Sequence, residues 1–288
     1  MKLLYYPGCT VKATATEYEK SAVGILKEFG IEVIELDRWI CCGVYHGMTS
    51  DTAYQTVAPI RNMIWAQEQA KKLGINDVYL LTVCSMCYNT LKIANIRYNE
   101  DENIARRIRA FIDDSPEYEG KVKVIHFMQV LKDFIGYDKI KERVVNDLNG
   151  TKLAPFYGCM LLRPSIVAID NPERPTIMQE LLTVLGAEPI NYPYTNQCCY
   201  GYLVTKNPEL VWKRAEEITD SALSRGAKAF VTTCPLCAFN LTNGQKNAYG
   251  DVRLPVFYES ELVAYALGKY EYLRQDRLEL IKSIVKGD

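Results

Sequence analysis

Residues 77–87 read DVYLLTVCSMC, and residues 228–237 read KAFVTTCPLC. In each stretch a run of apolar and β-branched residues, typical of a buried strand, leads directly into a C-x-x-C motif. Each motif also completes a longer series, in which a single cysteine and then an adjacent pair of cysteines come before it. The feature that decides the fold is therefore a buried strand that leads directly into a C-x-x-C motif and occurs twice in the chain.

The ten cysteines of the chain divide without remainder into two sets of five. The gaps between successive members are 31, 41 and 2 residues in the first set and 38, 34 and 2 residues in the second. The sets are Cys9, Cys41, Cys42, Cys84 and Cys87, and then Cys159, Cys198, Cys199, Cys234 and Cys237. Five thiols that recur in the same order indicate a duplicated metal-binding half. We therefore expect two domains, residues 1–150 and residues 151–288.

Strands and helices alternate in the same order in both halves. The predicted strands are Lys2–Tyr6, Ile31–Leu36, Asp77–Val83, Val122–His126, Lys152–Tyr157, Glu188–Tyr192, Lys228–Thr233 and Val252–Tyr258. Helical spacing predicts helices between them, one of which follows each C-x-x-C motif. This alternation indicates an α/β fold of two pseudo-symmetric halves, each a parallel sheet flanked by helices. Ligands of such sheets lie beyond the carboxyl ends of the strands, so each set of cysteines should meet there.

Composition narrows the class of protein. The net charge of −1 gives no basic field for nucleic acid. No apolar run approaches the ~20 residues that cross a bilayer. The start, MKLLYYPGCT, does not read as a signal peptide, so we expect a cytoplasmic protein. Cytosolic thiols stay reduced, which favours metal or redox chemistry over disulfides.

The residues alone leave two kinds of metal centre to compare, a structural zinc site and an iron–sulfur cluster. Structural zinc takes four ligands, so five thiols in each half are one too many, and adjacent cysteines are not the usual zinc spacing. Ordinary iron–sulfur clusters also take four cysteines, typically in compact runs. The pattern favours an unusual iron–sulfur cluster with an extra thiolate, and a zinc scaffold is the weaker alternative.

At this point the residues resemble a known family. The repeated series of a single cysteine, a pair and C-x-x-C is similar to the cysteine-rich domain named for its CCG sequence, over the whole chain. The flanks YGCMLLRPS (157–165) and CPLC (234–237) resemble the catalytic B subunit of heterodisulfide reductase in particular.

The resemblance implies two noncubane [4Fe–4S] clusters, each held by the five cysteines of its half. It also implies reductive cleavage of a disulfide, such as the coenzyme M–coenzyme B heterodisulfide of methanogenesis, by one-electron transfers. The chain lacks the C-x₂-C-x₂-C-x₃-C run of a ferredoxin. We therefore expect a ferredoxin-like C-type subunit to supply electrons, itself fed by a flavin-containing A-type subunit. The alternative is a cluster-bearing subunit of another redox complex.

Two departures from the family pattern concern the substrate. Tyr200 follows the second pair, where the family usually has glycine, whereas Gly43 follows the first pair. The gap between Cys42 and Cys84 is also longer than usual. We expect Gly43–Gly47 and Tyr200–Tyr202 to wall the disulfide site, with Tyr200 against the substrate. His46 is the candidate proton donor, because the pKa of histidine lies near neutrality.

Other residues near the motifs have weaker signals. Tyr45 and Tyr202 are further candidates to line a pocket. Lys12, Arg163 and Lys206 could neutralise clusters or an anionic substrate; surface solvation is the alternative and is slightly favoured for Lys206. His126 ends an apolar strand and is expected to be buried with its hydrogen bonds satisfied.

Overall fold

Parallel strands form the centre of each half of this computed structural model, which describes residues 1–44 and 51–286. In the described part of the chain, two sheets of four strands have the orders β2-β1-β3-β4 and β6-β5-β7-β8. The strands are β1 Lys2–Tyr5, β2 Glu32–Glu35, β3 Tyr79–Thr82, β4 Lys123–His126, β5 Lys152–Phe156, β6 Glu188–Pro189, β7 Ala229–Thr232 and β8 Val256–Tyr258. If β5 to β8 are numbered as the first to fourth strands of their own half, both sheets have the order second, first, third, fourth, so the second sheet repeats the first.

Helices connect the strands. They are α1 Cys9–Ala13, α2 Thr16–Glu28, α3 Thr52–Lys72, α4 Ser85–Glu100, α5 Glu102–Phe111, α6 Phe127–Gln129, α7 Tyr137–Lys141, α8 Ile177–Val184, α9 Pro208–Leu223, α10 Pro235–Tyr249, α11 Glu259–Ala266 and α12 Gln275–Lys286. A π-helical segment, Val130–Ile135, continues α6, and short 3₁₀ turns lie at Ser165–Val167, Gly201–Leu203 and Tyr270–Tyr272. No described helix is long and apolar enough to cross a bilayer.

The strand interiors explain why these segments pair. All four residues of β7 are buried, and Leu80 and Leu81 of β3 are fully buried. Strands covered on both faces are near-continuous apolar runs, as expected of parallel sheets under helices. Every strand pair is parallel, with Tyr79 opposite Lys123 and Phe230 opposite Val256. The predicted α/β fold of two repeated parallel sheets is confirmed.

The chain divides into two spatial units. Unit 1 consists of Met1–Thr14 and Leu26–Phe127, and unit 2 of Ala15–Ile25 and Met128–Asp288. Most of α2, which belongs to the first repeat in sequence, is therefore part of unit 2. The boundary between the repeats at residue 150 stays a prediction.

The strand order places a switch point in each sheet. In unit 1 the chain moves from β1 to β2 on one side and then returns to β3 on the other. In unit 2 the same reversal lies between β5 and β7. The crevice beyond the carboxyl ends of the two strands at such a point is the usual ligand site of an open α/β sheet. Cys9, Cys84, Cys159 and Cys234 follow these four strands.

Candidate functional site

The first sulfur site, defined as Cys9, Cys41, Cys42, Cys84 and Cys87, lies at the switch point of unit 1. Cys9 begins α1, and the pair follows β2. Cys84 is the N-cap of α4, so Cys87 lies in the first turn of that helix. The helix was expected to continue after Cys87, and it instead begins at Ser85, inside the motif. Cys42, Cys84 and Cys87 are buried, and Cys9 and Cys41 are exposed.

The second sulfur site, defined as Cys159, Cys198, Cys199, Cys234 and Cys237, repeats this arrangement in unit 2. Cys234 is the N-cap of α10, and Pro235 fits the first helical position because it needs no hydrogen-bond acceptor there. Cys199, Cys234 and Cys237 are buried, and Cys159 and Cys198 are half-buried. Each site therefore has three inner thiols and two outer ones.

Sulfur–sulfur distances match between the two sites. The outer sulfurs Cys9 Sγ and Cys41 Sγ lie 3.7 Å apart, and Cys159 Sγ and Cys198 Sγ also lie 3.7 Å apart. The inner sulfurs Cys42 Sγ and Cys87 Sγ are separated by 3.5 Å. The corresponding distance in the second site, between Cys199 Sγ and Cys237 Sγ, is again 3.5 Å. Cysteines that are far apart in sequence thus converge in the same geometry twice.

A glycine lies against the last cysteine of each site. Gly8 has φ +79° and Gly158 has φ +66°, a left-handed region that favours glycine. A Cβ on Gly8 would lie 2.9 Å from Cys87 Sγ, and a Cβ on Gly158 would lie 2.9 Å from Cys237 Sγ. Any side chain at either position would press on a sulfur, so glycine is what allows the backbone to come this close to the thiol.

Two thiols have depressed pKa values. The pKa of Cys42 lies well below its usual range, because hydrogen bonds from Cys41 and Cys87 outweigh burial, with further help from the Val44 N–H and the Thr90 hydroxyl. The pKa of Cys198 falls to about 6, because a hydrogen bond from Cys159 outweighs burial, and the N–H groups that follow and the charge of Arg214 add to it.

The thiols that hydrogen-bond to these two cysteines or occupy equivalent positions have raised pKa values. Hydrogen bonding to their neighbours, followed by burial, raises the pKa of Cys41 and of Cys159. The pKa of Cys87 and of Cys237 is also raised, first by hydrogen bonds to two neighbouring thiols each. Each site thus favours one thiolate over several, and thiolates are the metal-binding form of cysteine.

Polar side chains on the helices after the motifs reach the buried cysteine of each pair. Thr90 of α4 contacts Cys42, and Asn240 of α10 places Nδ2 3.6 Å from Cys199 Sγ. Both residues come three positions after the second cysteine of C-x-x-C. Sequence reasoning missed them, although this shared offset was a signal that could have found them.

The segment before the first pair is fixed by hydrogen bonds to buried side chains. Asn62 of α3 accepts from the Ile40 N–H at 2.9 Å and donates to the Ile40 carbonyl at 3.0 Å. The Tyr6 hydroxyl donates to the same carbonyl at 2.8 Å. Because Asn62 and Tyr6 are fully buried, the position of Cys41 is set from the core.

The second pair is surrounded by aromatic and cationic groups. The Arg214 guanidinium lies 4.7 Å from the Tyr194 ring centroid and 5.1 Å from the Tyr200 ring centroid. Its Nε donates to the Cys198 carbonyl at 3.2 Å, and the Tyr200 N–H donates to Cys198 Sγ at 3.3 Å. Sequence reasoning did not find Arg214, because nothing in the sequence marks which residue of α9 faces the pair.

The equivalent place beside the first pair is apolar. A Cβ on Gly43 would lie 3.7 Å from the Ala58 Cβ of α3. Gly43 has φ +76°, and Tyr200 keeps the same left-handed backbone at φ +59°. A bulky residue is rare in this conformation. The Tyr200 departure found in the sequence is therefore a side chain placed on a backbone suited to glycine.

The remaining sequence candidates divide into several groups. His46 and Tyr45 lie outside the described residues. His126 is fully buried, with a ring nitrogen 2.8 Å from the Val83 carbonyl, as expected of a satisfied core histidine. Lys12 pairs with Glu35 at 2.6 Å, and Arg163 donates to the Asn196 carbonyl at 2.9 Å.

Tyr202 is 56 % exposed. Lys206 is also exposed, which fits surface solvation. Neither residue is buried against the second sulfur site.

The residues of both sites fit a thiolate-bound metal or iron–sulfur group. Thiolates are soft ligands that select zinc, copper(I) and iron–sulfur clusters. Across residues 1–44 and 51–286, no three His, Cys, Asp or Glu side chains are arranged around a point for one metal ion. The described thiols approach one another in pairs, and the Gly8 and Gly158 backbones pack closely against the last cysteine of each site.

Comparison with known proteins follows the same repeat. The family model of the cysteine-rich domain, CCG, matches residues 3–92 and again residues 153–242. The 8-methylmenaquinol:fumarate reductase membrane anchor subunit of Wolinella succinogenes is 29% identical over 270 residues, which cover 92% of this chain and 91% of that protein. A heterodisulfide reductase B-subunit-like protein of Archaeoglobus profundus is also 29% identical, over 91% of this chain and 89% of its own.

A solved structure of a hypothetical protein from Helicobacter pylori has the same fold, with a TM-score of 0.73 at 13% identity. The match covers 96% of this chain and 50% of that one. The two relatives named above are proteins of reductases, so the chain is similar to redox proteins. With two matches that together span most of its length, this chain belongs to the cysteine-rich domain family, CCG.

Proposed function

We propose that each sulfur site holds one noncubane [4Fe–4S] cluster, bound by all five of its cysteines. The observation that carries this proposal is the matched convergence of five thiols at two switch points, with equal sulfur–sulfur distances of 3.7 and 3.5 Å. A structural zinc ion would leave one thiol of each site unused.

The proposed reaction is the reductive cleavage of a disulfide. Splitting a disulfide into two thiols takes two electrons and two protons, and two one-electron centres in one chain can supply the electrons. Relatives named as the B subunit of heterodisulfide reductases support this reaction, among them one from Methanosarcina acetivorans that is 26% identical over 278 residues. The proposed substrate is a disulfide of the coenzyme M–coenzyme B type, which makes the chain an oxidoreductase that acts on a sulfur group.

Tyr200 and His46 are the proposed catalytic residues. Tyr200 places its ring beside Arg214, next to the outer thiol Cys198, where it could contact a substrate. His46 follows the first pair by four positions, and its proposed role is to give a proton to a product thiolate.

A second candidate is a subunit of a quinol-linked reductase. It is favoured by the similarity to the Wolinella succinogenes protein, which is as high as that to the heterodisulfide reductase relative. Tyr200, in place of the glycine of the first pair, gives the second site an aromatic surface that suits a flat ring as well as a disulfide.

In either case electrons must be exchanged with another protein. All ten cysteines of the chain belong to the two sites, so a further cluster would need other ligands. We propose a ferredoxin-like C-type subunit as the direct partner and, behind it, a flavin-containing A-type subunit.

Purification without oxygen tests the metal assignment. We expect about eight irons and about eight acid-labile sulfides per chain. About two zinc ions with no sulfide would refute the clusters, and cubane spectra from both halves would refute their noncubane type.

Two assays on the loaded protein then separate the reactions. With a reduced viologen dye as electron donor, a disulfide reductase releases two thiols for each disulfide consumed, which a thiol reagent counts. A quinol-linked subunit would instead oxidise the reduced dye with menaquinone, which becomes menaquinol, and leave the disulfide intact. The second result would replace the disulfide proposal by the quinol proposal.

A further inference from the structure

An acidic side chain is completely buried at the start of α11 in unit 2. Glu259 has no exposed surface, and its Oε1 accepts a hydrogen bond of 2.7 Å from the Tyr18 hydroxyl. Its other oxygen, Oε2, is buried and has no hydrogen-bond partner among the described residues. A carboxylate that is buried with half of its acceptors unsatisfied is costly, so this site favours the protonated acid.

Tyr18 connects this acid to the second sulfur site. Its ring stacks on Tyr258 with centroids 4.1 Å apart, and its hydroxyl also lies 3.4 Å from the Thr233 carbonyl. Thr233 directly precedes the thiol Cys234. One hydroxyl has one hydrogen to donate. While Glu259 is ionised, Tyr18 donates to it; once Glu259 is protonated, it can donate to Tyr18, whose hydroxyl can then donate to the Thr233 carbonyl.

The neighbouring charges do not neutralise Glu259. The nearby cation, Arg277, is bound to Glu261 by contacts of 2.7 and 2.6 Å. The pKa of Glu259 is raised to about 8, chiefly by burial, with a smaller contribution from the charge of Glu261, while hydrogen bonds from Tyr18 and from its own backbone N–H oppose the rise. The phenol of Tyr137 also lies close enough for the charge of Glu259 to contribute to its raised pKa.

Unit 1 differs at the same place. His126 lies opposite Thr82 as Tyr258 lies opposite Thr232, so the two residues are equivalent. The ring of His126 binds the carbonyl of Val83, which precedes Cys84, and burial lowers the pKa of His126 to about 3. The residue after His126 is Phe127, where unit 2 has Glu259. In unit 1 the carbonyl before C-x-x-C is therefore hydrogen-bonded by the neutral imidazole of His126. In unit 2 the corresponding carbonyl lies beside the Tyr18 hydroxyl, which is hydrogen-bonded to the ionisable Glu259.

We propose that, in the alkaline range where Glu259 is ionised, it takes up a proton when the second sulfur site is reduced, whereas the first sulfur site is reduced without a proton. This inference rests on the proposed clusters. A group held by these thiols would receive one electron from a low-potential donor, and one proton from solvent would convert the Glu259 carboxylate into the acid. The total charge of unit 2 then stays constant, which removes an electrostatic cost of adding the electron.

The sign of the effect follows from linkage. Negative charge on the sulfur site raises the pKa of a nearby acid, so the pKa of Glu259 is higher in the reduced state than in the oxidised state. Between these two values reduction and protonation occur together. There the reduction equilibrium of the second site weakens tenfold with each unit of rising pH, which is 59 mV for one electron. The window opens at or above the value of about 8, because the oxidised site already carries thiolate charge.

Redox titration of the anaerobic holoprotein tests this inference. The potentials of both clusters are followed by electron paramagnetic resonance, from pH values below the window to values well above it. Cys9→Ala and Cys159→Ala assign the two signals, because each change damages one site. We expect a tenfold change for each pH unit at the second site and less than about a twofold change at the first, which is the internal control.

Three variants locate the proton. Glu259→Gln should abolish the pH dependence of the second site at unchanged iron content. Tyr18→Phe should keep the dependence and move its window to higher pH, because the hydroxyl no longer stabilises the carboxylate. Ser260→Ala is the control: Ser260 follows Glu259 in α11, and its hydroxyl forms a buried hydrogen bond with Ser21. This change should leave the pH slope and the pH window of the second site unchanged.

Several outcomes would overturn the inference. These are a second site whose potential is independent of pH, equal slopes at both sites, or a slope that survives in Glu259→Gln. If the glutamine variant fails to fold, the wild-type slopes and the Tyr18→Phe shift still decide the matter. Absence of iron and sulfide would instead refute the proposed clusters, so the two failures are distinguishable.

Discussion

Replacing Tyr200 by glycine separates a substrate contact from a purely structural role. At φ +59° the tyrosine backbone is left-handed, which costs about 1–2 kcal/mol for a residue with a side chain. Glycine removes this strain but loses the contact of the ring with Arg214, worth about 0.5–1 kcal/mol. It also adds roughly 0.5–1 kcal/mol of backbone entropy to the unfolded state. These terms nearly cancel, so the free energy of unfolding should change by less than about 1 kcal/mol.

Because the fold is expected to survive, kinetics can report on the ring. An aromatic contact with substrate is worth about 0.5–1.5 kcal/mol beyond the area that it buries. Its loss should raise KM by about two- to tenfold. Iron content and kcat should stay close to their wild-type values. The assay is disulfide reduction with reduced viologen, together with iron analysis and urea unfolding of the same preparations.

Asn149→Gly is the matched control, because Asn149 is the other non-glycine residue with positive φ (+49°) among those described. It is exposed, so the change alters a left-handed position without touching either sulfur site. The reasoning is refuted if Tyr200→Gly loses iron while the remaining loaded enzyme keeps its wild-type KM. The ring would then only pack against its site.

Three further predictions concern other residues. Cys9→Ala and Cys159→Ala should each lower the iron content from about eight to about four, and an unchanged iron content in either would contradict the five-ligand assignment. His46→Ala should lower kcat at constant iron content, and an unchanged pH–rate profile would argue against a proton donor. The pKa of Glu259 is raised on folding, so its contribution to stability is present below the unfolded value and is lost as pH rises towards about 8. Urea unfolding should show a loss on the order of 1 kcal/mol per pH unit in this range, and Glu259→Gln should remove that slope.

The strands and their order of appearance could be predicted because buried parallel strands are continuous apolar runs. The errors lie at strand ends and have local causes. The predicted strand Glu188–Tyr192 pairs only over Glu188–Pro189, and its last bond to β5 is that of the Ile190 N–H to the Leu153 carbonyl at 2.8 Å. The predicted strand Val252–Tyr258 begins only at Val256. Leu254 is instead held by the Gln245 side chain, which bonds its N–H at 2.7 Å and its carbonyl at 2.9 Å.

The thiols of the site could be predicted because they recur in order, but their surroundings could not. Arg214 reaches Cys198 from α9, and Tyr18 reaches Glu259 from a helix that belongs to the other repeat in sequence. Both contacts join segments that are far apart in sequence. An arginine or a tyrosine in an amphipathic helix is ordinarily read as a surface residue, so the sequence did not mark either of them. The segment after β4 changes from α-helical at Phe127–Gln129 to π-helical at Val130–Ile135, a change that the spacing of apolar residues does not reveal.

The differences between the two sites bear on why the halves share one chain. A single half could in principle pair with a second copy across a two-fold axis and present two identical sites. When both halves lie in one chain, the two sites need not be identical. Here the thiols are the same in both halves, and the residues around them differ. Gly43 faces Ala58 where Tyr200 faces Arg214, and Phe127 occupies the place of Glu259. A substrate that accepts two electrons in turn changes its charge after the first transfer, so the second transfer meets a different electrostatic demand. Two sites with the same ligands but different charged neighbours suit such a sequence better than two identical ones.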